Sequence, residues 1–176
     1  MADSVFIILL FMKKIFTAIL FAGLLFGANS CKNQGSETHI SSMKEIEAAE
    51  NLQAGEKFVA EQLKNDTAFV KTESGLCYKV LNEGEGDNFT DNDVVDVIYV
   101  GKHIDGEEFD NSKGETVPFD LHKVIPGFSE VIKLMKPGSK VLAIIPSDIG
   151  YGENGSGPIG PNETLVFEIT TVGVHK

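Results

Sequence analysis

Glycines, histidines and carboxylates are the residue types in this sequence that could carry cofactor or metal chemistry, and their spacing argues against both. Residues 150–155 fit the G-x-G-x-x-G pattern of dinucleotide sites, but Ser-Gly-Pro-Ile-Gly-Pro follows them where such a site requires a helix. The histidines share no metal-ligand spacing. Asp87, Asp91 and Asp93 crowd one turn but lack the glycine and the terminal glutamate of a calcium loop. We therefore expect no cofactor and no metal.

A second set of residues consists of aromatic side chains and one aspartate, whose types suit a binding pocket. Tyr99, Phe119 and Phe167 occupy alternating positions of predicted strands, where ordinary core packing would explain each of them. Asp110 taken alone is a turn residue, because Asn111-Ser112 follows it. Single residues therefore do not distinguish a binding pocket from a core, and the order of motifs along the chain has to be considered.

The ordered series resembles the FKBP family of peptidyl-prolyl isomerases. The motifs that carry this resemblance, in chain order, are Tyr99-Val-Gly101, Asp105-Gly106, Phe109-Asp110, Phe119, Val124-Ile125-Pro-Gly127, Met135, Pro137-Gly138, Ile145-Pro146, Tyr151-Gly152, Pro161-Asn162 and Leu165-Val-Phe167. The resemblance covers residues 75–176 almost continuously. Residues 55–58 and 74–76 are also similar to the lead-in of the Mip-like envelope subgroup.

The resemblance implies a peptidyl-prolyl cis-trans isomerase whose pocket receives the proline ring of an unfolded or exported polypeptide. It assigns catalytic contacts to Phe109, Asp110, Ile125 and Tyr151, with the Tyr151 hydroxyl and the Ile125 backbone N–H as hydrogen-bond donors. The remaining residues that it places around the substrate are Tyr99, Phe119, Val124, Phe128, Ile159 and Phe167.

Such a pocket needs no nucleophile, because the reaction twists an Xaa-Pro amide over a barrier of about 18–20 kcal/mol without breaking a covalent bond. Desolvation of the planar amide contributes about 1–3 kcal/mol. An acceleration of about ten-thousand- to million-fold requires about 5–8 kcal/mol, so oriented hydrogen bonds must supply the rest. A peptide-binding chaperone of the cell envelope could use the same groove with little or no turnover, and this alternative stays open.

Three departures from the family pattern fall on the predicted pocket. Phe128 stands where many FKBP domains have tryptophan, a residue that this chain lacks. Pro158 and Gly160 stand in a loop where the family often has isoleucine and proline, and His122-Lys123 replaces a commoner glycine before Val124. We expect an apolar but looser pocket with an altered rim, which binds macrolide immunosuppressants only weakly.

Hydrophobic periodicity predicts the elements that position these residues. Apolar side chains recur at helical spacing over residues 43–64, with Ser42 as a cap and Gly55 as a weak point. We expect this helix to pack on its own domain, although it could pair with a second copy. Alternating or apolar strand patterns follow at 76–80, 95–99, 117–121, 141–145 and 165–172, and we interpret Cys77 as a small strand residue.

Proline and glycine residues mark the ends of the remaining elements. Pro126 begins a short helix and Pro137-Gly138 ends it. Strands joined by tight loops, without a βαβ rhythm, indicate an α+β fold. We predict an antiparallel five- to six-stranded half-barrel sheet wrapped around the one short helix and preceded by the N-terminal helix.

The first part of the sequence has the order of an export signal. Met12-Lys-Lys precedes an apolar run over 15–28 and then Asn-Ser-Cys31, which resembles a lipobox. We expect residues 1–30 to be a removed signal peptide, residues 31–41 a tether lipidated at Cys31, residues 42–72 a helical segment and residues 75–176 the FKBP-type domain. Translation would begin at Met12. An uncleaved anchor is the alternative, which Lys13 and Lys14 disfavour.

The composition constrains location and partners. The formal net charge is −11, and all fifteen basic residues are lysine, so no arginine is available for nucleic-acid recognition. We expect no nucleic-acid partner and a lipid-anchored protein of the bacterial cell envelope. Position 32 is lysine rather than the aspartate that often signals inner-membrane retention, which favours the outer membrane.

Overall fold

The computed structural model describes residues 35–176, with side chains from residue 42 onward. The predicted signal peptide, Cys31 and the first part of the predicted tether lie outside this range. No helix within the described range has the length and hydropathy needed to cross a membrane. The elements are α1 (Gly35–Asn65), β1 (Val70–Lys71), β2 (Cys77–Asn82), β3 (Val94–His103), β4 (Glu108–Asn111), β5 (Val117–Asp120), α2 (Pro126–Lys133), β6 (Lys140–Ile145) and β7 (Leu165–Val174), with short 3-10 turns at Ser147–Ile149 and Gly152–Asn154.

Helix α1 is longer than the sequence pattern predicted. It begins at Gly35, so residues 35–41 are helical where a flexible tether was predicted, and Ser42 lies inside the helix instead of capping it. The reason is that apolar periodicity reports a buried helix face, whereas a polar stretch can form a helix without burying one. Gly55 does not interrupt the helix.

The C-terminal half of α1 packs on its own domain, as expected. Val59 belongs to a buried cluster with Phe69, Cys77 and Ile144, against which Leu63 also packs. Burial raises the pKa of the Cys77 thiol. This agrees with the interpretation of Cys77 as a strand residue and not a reactive thiol, because the thiolate is the nucleophilic form.

Gly55 allows α1 to approach the rest of the domain closely. A Cβ atom at this position would lie 2.1 Å from Thr164 Oγ1 and 2.8 Å from Thr164 Cβ. Gly55 is therefore a contact point between the helix and the residue that precedes β7.

The sheet confirms the predicted α+β class and is antiparallel throughout. It has seven strands in the order β1-β2-β6-β7-β3-β4, and β5 pairs with β3 beside this path. Five to six strands were predicted because β1 has only two residues and because β4, with the sequence Glu-Phe-Asp-Asn, contains a single apolar residue and so shows no alternating pattern.

Helix α2 lies in the main hydrophobic core with the sheet. Val131 and Ile132 are fully buried beside residues of β3, β6 and β7, and Met135 follows them into the same cluster. Pro126 occupies the first turn, where its missing N–H costs no hydrogen bond. This arrangement places Phe128 of α2 between the strands that carry the predicted pocket residues.

Candidate active site

A cavity of about 230 Å³ opens where β3, β4, β5 and β7 meet the start of α2. Its lining residues are Tyr99, Phe109, Asp110, Phe119, Lys123, Val124, Ile125, Phe128, Tyr151 and Phe167. Every pocket residue predicted from the sequence lines this cavity except Ile159. Lys123 is the one lining residue that was not assigned to the pocket.

The sheet and α2 position the aromatic side chains. Tyr99 lies on β3, Phe119 on β5 and Phe167 on β7. Phe128 is only 4% exposed, and its ring centroid lies 5.3 Å from those of both Phe119 and Phe167 and 6.2 Å from that of Tyr99. All these pairs are edge-to-face, a favourable arrangement for aromatic rings. Phe128 thus forms an apolar floor in the position where the family often has tryptophan.

Phe109 forms one wall of the cavity and is held mainly by packing. Its ring lies 5.6 Å from that of Phe167 and 5.1 Å from that of His103, edge-to-face in both cases. A Cβ atom at Gly101 would lie 2.7 Å from Phe109 Cζ and 2.8 Å from Phe167 Cε1. The absence of a side chain at Gly101 therefore leaves the space that the two rings fill.

A tyrosine and an aspartate form the polar part of the rim. The Tyr99 hydroxyl donates a hydrogen bond of 2.7 Å to Asp110 Oδ2. Burial and the Asp110 carboxylate raise the pKa of Tyr99 well above its usual value, and burial together with Asp110 also raises the pKa of Tyr151. Both hydroxyls therefore keep their protons, and remain hydrogen-bond donors, at neutral pH.

Two donors at the cavity have no acceptor among the described residues. One is the Tyr151 hydroxyl and the other is the backbone N–H of Ile125. Pro126 restricts Ile125 to extended backbone, with ψ at 146°, and the Ile125 carbonyl accepts hydrogen bonds from the N–H groups of Phe128 and Ser129. The Ile125 carbonyl thus accepts hydrogen bonds from the first turn of α2, while the Ile125 N–H can donate a hydrogen bond to a bound peptide.

Ile159 lies elsewhere than the resemblance implied. It is 6% exposed, belongs to the main core and is not among the residues that line the cavity. Its backbone forms a tight pair of hydrogen bonds with Ser156, of 2.9 and 3.0 Å, which closes the loop on itself. The loop composition around Pro158 and Gly160 had already distinguished this segment from the family pattern.

Lys123 adds a positive charge to the rim. Its ammonium group lies 2.8 Å from Asp120 Oδ2, the Lys123 side chain is 80% exposed, and this contact raises the pKa of Lys123. The signal for this residue was present in the sequence, because His122-Lys123 replaces a commoner glycine. An altered rim was expected there, but Lys123 was not identified as a pocket residue.

Two larger cavities, of about 420 and 510 Å³, lie along α1. The first is lined by residues such as Leu52, Val59 and Pro146, and the second by residues such as Ala49 and Asn154. Neither has aromatic rings in its lining. The smaller cavity is the better candidate because it combines an aromatic interior with convergent hydrogen-bond donors.

Comparison with known proteins identifies the family of the chain. Residues 86–172 match the family model described as FKBP-type peptidyl-prolyl cis-trans isomerase, and residues 23–80 match the domain amino terminal to such isomerases. The crystal structure of FkpA from Escherichia coli is similar, with a TM-score of 0.74 and 37% identity, over 78% of this chain and 65% of that one.

Two further relatives extend the comparison. A peptidyl-prolyl cis-trans isomerase from Pseudomonas syringae pv. tomato has a TM-score of 0.67 and 34% identity, over 73% of this chain and 96% of that one. Outer membrane protein MIP of Legionella longbeachae is 39% identical over 132 residues, which are 73% of this chain and 56% of that protein. The chain spans about half the length of the curated relatives it matches. The chain belongs to the FKBP-type peptidyl-prolyl cis-trans isomerase family.

Proposed function

We propose that the chain is a peptidyl-prolyl cis-trans isomerase that assists the folding of exported proteins. The observation that carries this proposal is the aromatic cavity, in which the Tyr151 hydroxyl and the Ile125 N–H have no acceptor among the described residues. An apolar interior suits a prolyl ring, and unsatisfied donors at its edge suit the carbonyl groups of a peptide.

The reaction follows from these two properties of the cavity. The prolyl ring rests on Phe128 between Phe119 and Phe167, and the preceding amide leaves water. Loss of water costs the planar, charge-separated amide about 1–3 kcal/mol and costs the twisted amide less. Hydrogen bonds from Tyr151 and Ile125 then hold the flanking carbonyls while the amide rotates. Every stabilisation of about 1.4 kcal/mol that acts only on the twisted state raises the rate of isomerisation tenfold.

Asp110 has a supporting role in this proposal. Its carboxylate accepts a hydrogen bond from the Tyr99 hydroxyl, and Asp110 is an exposed residue within β4. Because stabilising the charge-separated planar amide would oppose rotation, the role proposed for this carboxylate is to hold the Tyr99 hydroxyl and the polar rim of the cavity in a fixed orientation.

Exchange NMR on an Ala-Phe-Pro peptide tests the proposal, beside an assay of aggregation suppression on a proline-free unfolded protein. Isomerisation by the full chain well above the uncatalysed rate supports the enzyme. Suppression of aggregation without measurable turnover would replace it with the chaperone alternative, because a binding groove needs no transition-state stabilisation.

The proposed location is the bacterial cell envelope, with residues 1–30 removed and Cys31 acylated. The order of charged, apolar and small residues before Cys31 supports this proposal, as does the name of the Legionella relative, an outer membrane protein. We also propose the outer membrane on the basis of Lys32. Metabolic labelling with palmitate tests the anchor: the label should enter the chain and be absent from a Cys31→Ala variant, and label in that variant would contradict the proposal.

Weak binding of macrolide immunosuppressants is a further part of the proposal. Phe128 gives a smaller floor than tryptophan, and Ile159 packs in the core instead of contributing to the wall. Titration with a macrolide should therefore give an affinity well below that of a tryptophan-containing FKBP domain, and equal affinities would refute this expectation.

A further inference from the structure

A polar pair lies directly behind the wall that Phe109 forms. His103 ends strand β3, and its Nδ1–H donates a hydrogen bond to Glu163 Oε1. The two side chains are only 17% and 16% exposed. Neither residue lines the cavity, and neither belongs to the motifs that identified the family. A mostly buried polar pair that the proposed mechanism does not use needs an explanation.

The second oxygen of Glu163 holds the loop that follows Tyr151. Glu163 Oε2 accepts a hydrogen bond of 2.7 Å from the Gly160 N–H. The same loop is closed on its other side, where the Asn162 N–H donates to the Gly152 carbonyl at 2.9 Å. One carboxylate therefore joins the end of β3 to a loop that is tied to the residue beside Tyr151.

His103 is the link between this carboxylate and the pocket. Its ring meets the Phe109 ring edge-to-face, with centroids 5.1 Å apart, on one side, while Phe167 contacts Phe109 at 5.6 Å. Phe109 has no polar atom in its side chain, so packing alone fixes its orientation. If the His103 ring rotated or moved away, the Phe109 ring would lose its packing contact on one side and could change orientation.

We propose that His103 and Glu163 are positioning residues, which hold Phe109 and the loop after Tyr151 at the separation that a twisting prolyl amide requires. This inference rests on the proposed isomerase function. Because the ring contact of His103 is with the Phe109 wall, whereas Phe128 forms the floor, loss of the pair lowers turnover more than affinity for a prolyl peptide. Displacement of a positioned group by about 1 Å can cost about a hundredfold in rate, so a partial loosening is expected to cost about tenfold.

The test uses the full chain with ¹³C-labelled phenylalanine rings, the Phe109 resonances being assigned with a Phe109→Leu variant. The first two variants are Glu163→Ala, which removes both hydrogen bonds, and Glu163→Gln, which can keep both. In the glutamine variant the amide oxygen accepts from Gly160, while the amide NH₂ donates to Nδ1 of the other neutral His103 tautomer.

Two further variants complete the set. His103→Leu removes the link without leaving the Gly160 N–H unpaired, so it serves if Glu163→Ala does not fold. His175→Ala is the matched control, because His175 Nδ1 and Asp96 Oδ1 form a similar pair at 2.8 Å and neither residue lines the cavity.

The expected result is that Glu163→Ala and His103→Leu shift the Phe109 ring resonances and lower the peptide exchange rate about tenfold, with peptide affinity changed less than about threefold. Glu163→Gln and His175→Ala should leave the resonances and the rate close to those of the parent chain. Unmoved Phe109 resonances in both linking variants would overturn the proposal, as would a glutamine variant as impaired as the alanine one. An inactive parent chain would contradict the proposed function, whereas the Phe109 resonances would still decide the role of the pair.

Discussion

Replacing Gly101 with alanine tests whether the exact placement of the aromatic walls matters for activity. The new Cβ atom would lie 2.7 Å from Phe109 Cζ and 2.8 Å from Phe167 Cε1, whereas ordinary contacts begin at 3.4 Å. The two rings must therefore move away by roughly 0.6–0.7 Å to reach ordinary contact distance. Overpacking of a protein core in this way typically costs about 1–3 kcal/mol of stability. A shift of this size in a positioned group corresponds to a rate loss on the order of tenfold or more.

Exchange NMR on an Ala-Phe-Pro peptide gives the rate, and urea unfolding gives the stability. The matched control is Gly173→Ala, which is also a glycine-to-alanine change within a strand but has no atom within 4 Å of the added Cβ. We expect Gly101→Ala to lose at least about tenfold in rate and about 1–3 kcal/mol in stability, and Gly173→Ala to keep the parent rate and lose no stability. Equal rates in the two variants would refute the view that Gly101 makes room for the pocket walls.

Three further outcomes follow from the described contacts. Helix propensity alone would make Gly55→Ala stabilising by about 1 kcal/mol. We expect this variant instead to have a lower free energy of unfolding, because its Cβ would lie 2.1 Å from Thr164 Oγ1. A stabilised variant in urea unfolding would contradict this contact. Tyr99→Phe removes the hydrogen bond to Asp110 and should cost about 1 kcal/mol in the same assay and lower the peptide exchange rate; an unchanged rate would show that the orientation of Asp110 is unimportant. Because the pKa of Tyr99 is raised in the fold, this residue contributes stability below pH about 10, and the contribution is lost as the pH rises further. The loss of stability at alkaline pH should therefore be smaller in Tyr99→Phe than in the parent chain. Equal losses in the two proteins would contradict this role of Tyr99.

The fold class and the pocket could be predicted from the sequence because each had a signal that repeats along the chain. Alternating apolar residues report strands, and Pro126 reports the start of α2. Tyr99, Phe109 and Phe128 taken singly could each be a core residue or a pocket residue. A long series of motifs in the order of one family indicates that they belong to a pocket. The structure places these three side chains around one cavity.

The features that were missed depend on contacts between distant residues or on segments without periodicity. Helix α1 begins at Gly35 because a polar stretch can be helical without an apolar face. Ile159 lies in the core, and its loop closes through hydrogen bonds with Ser156, a contact that residue spacing does not report. The contact between His103 and Glu163 joins positions 60 residues apart, and only the three-dimensional arrangement brings them together.

The peptide exchange rates of a Phe109→Ala and an Asp110→Ala variant, compared with that of an Asp87→Ala control, test whether this cavity is the active site. Asp87 is exposed and does not line the cavity, so its loss controls for the removal of an acidic side chain from this chain. We expect both pocket variants to remain folded and lose most of their activity, while the control keeps the rate of the parent chain. Unchanged exchange rates in the folded pocket variants would contradict the assignment of this cavity as the active site.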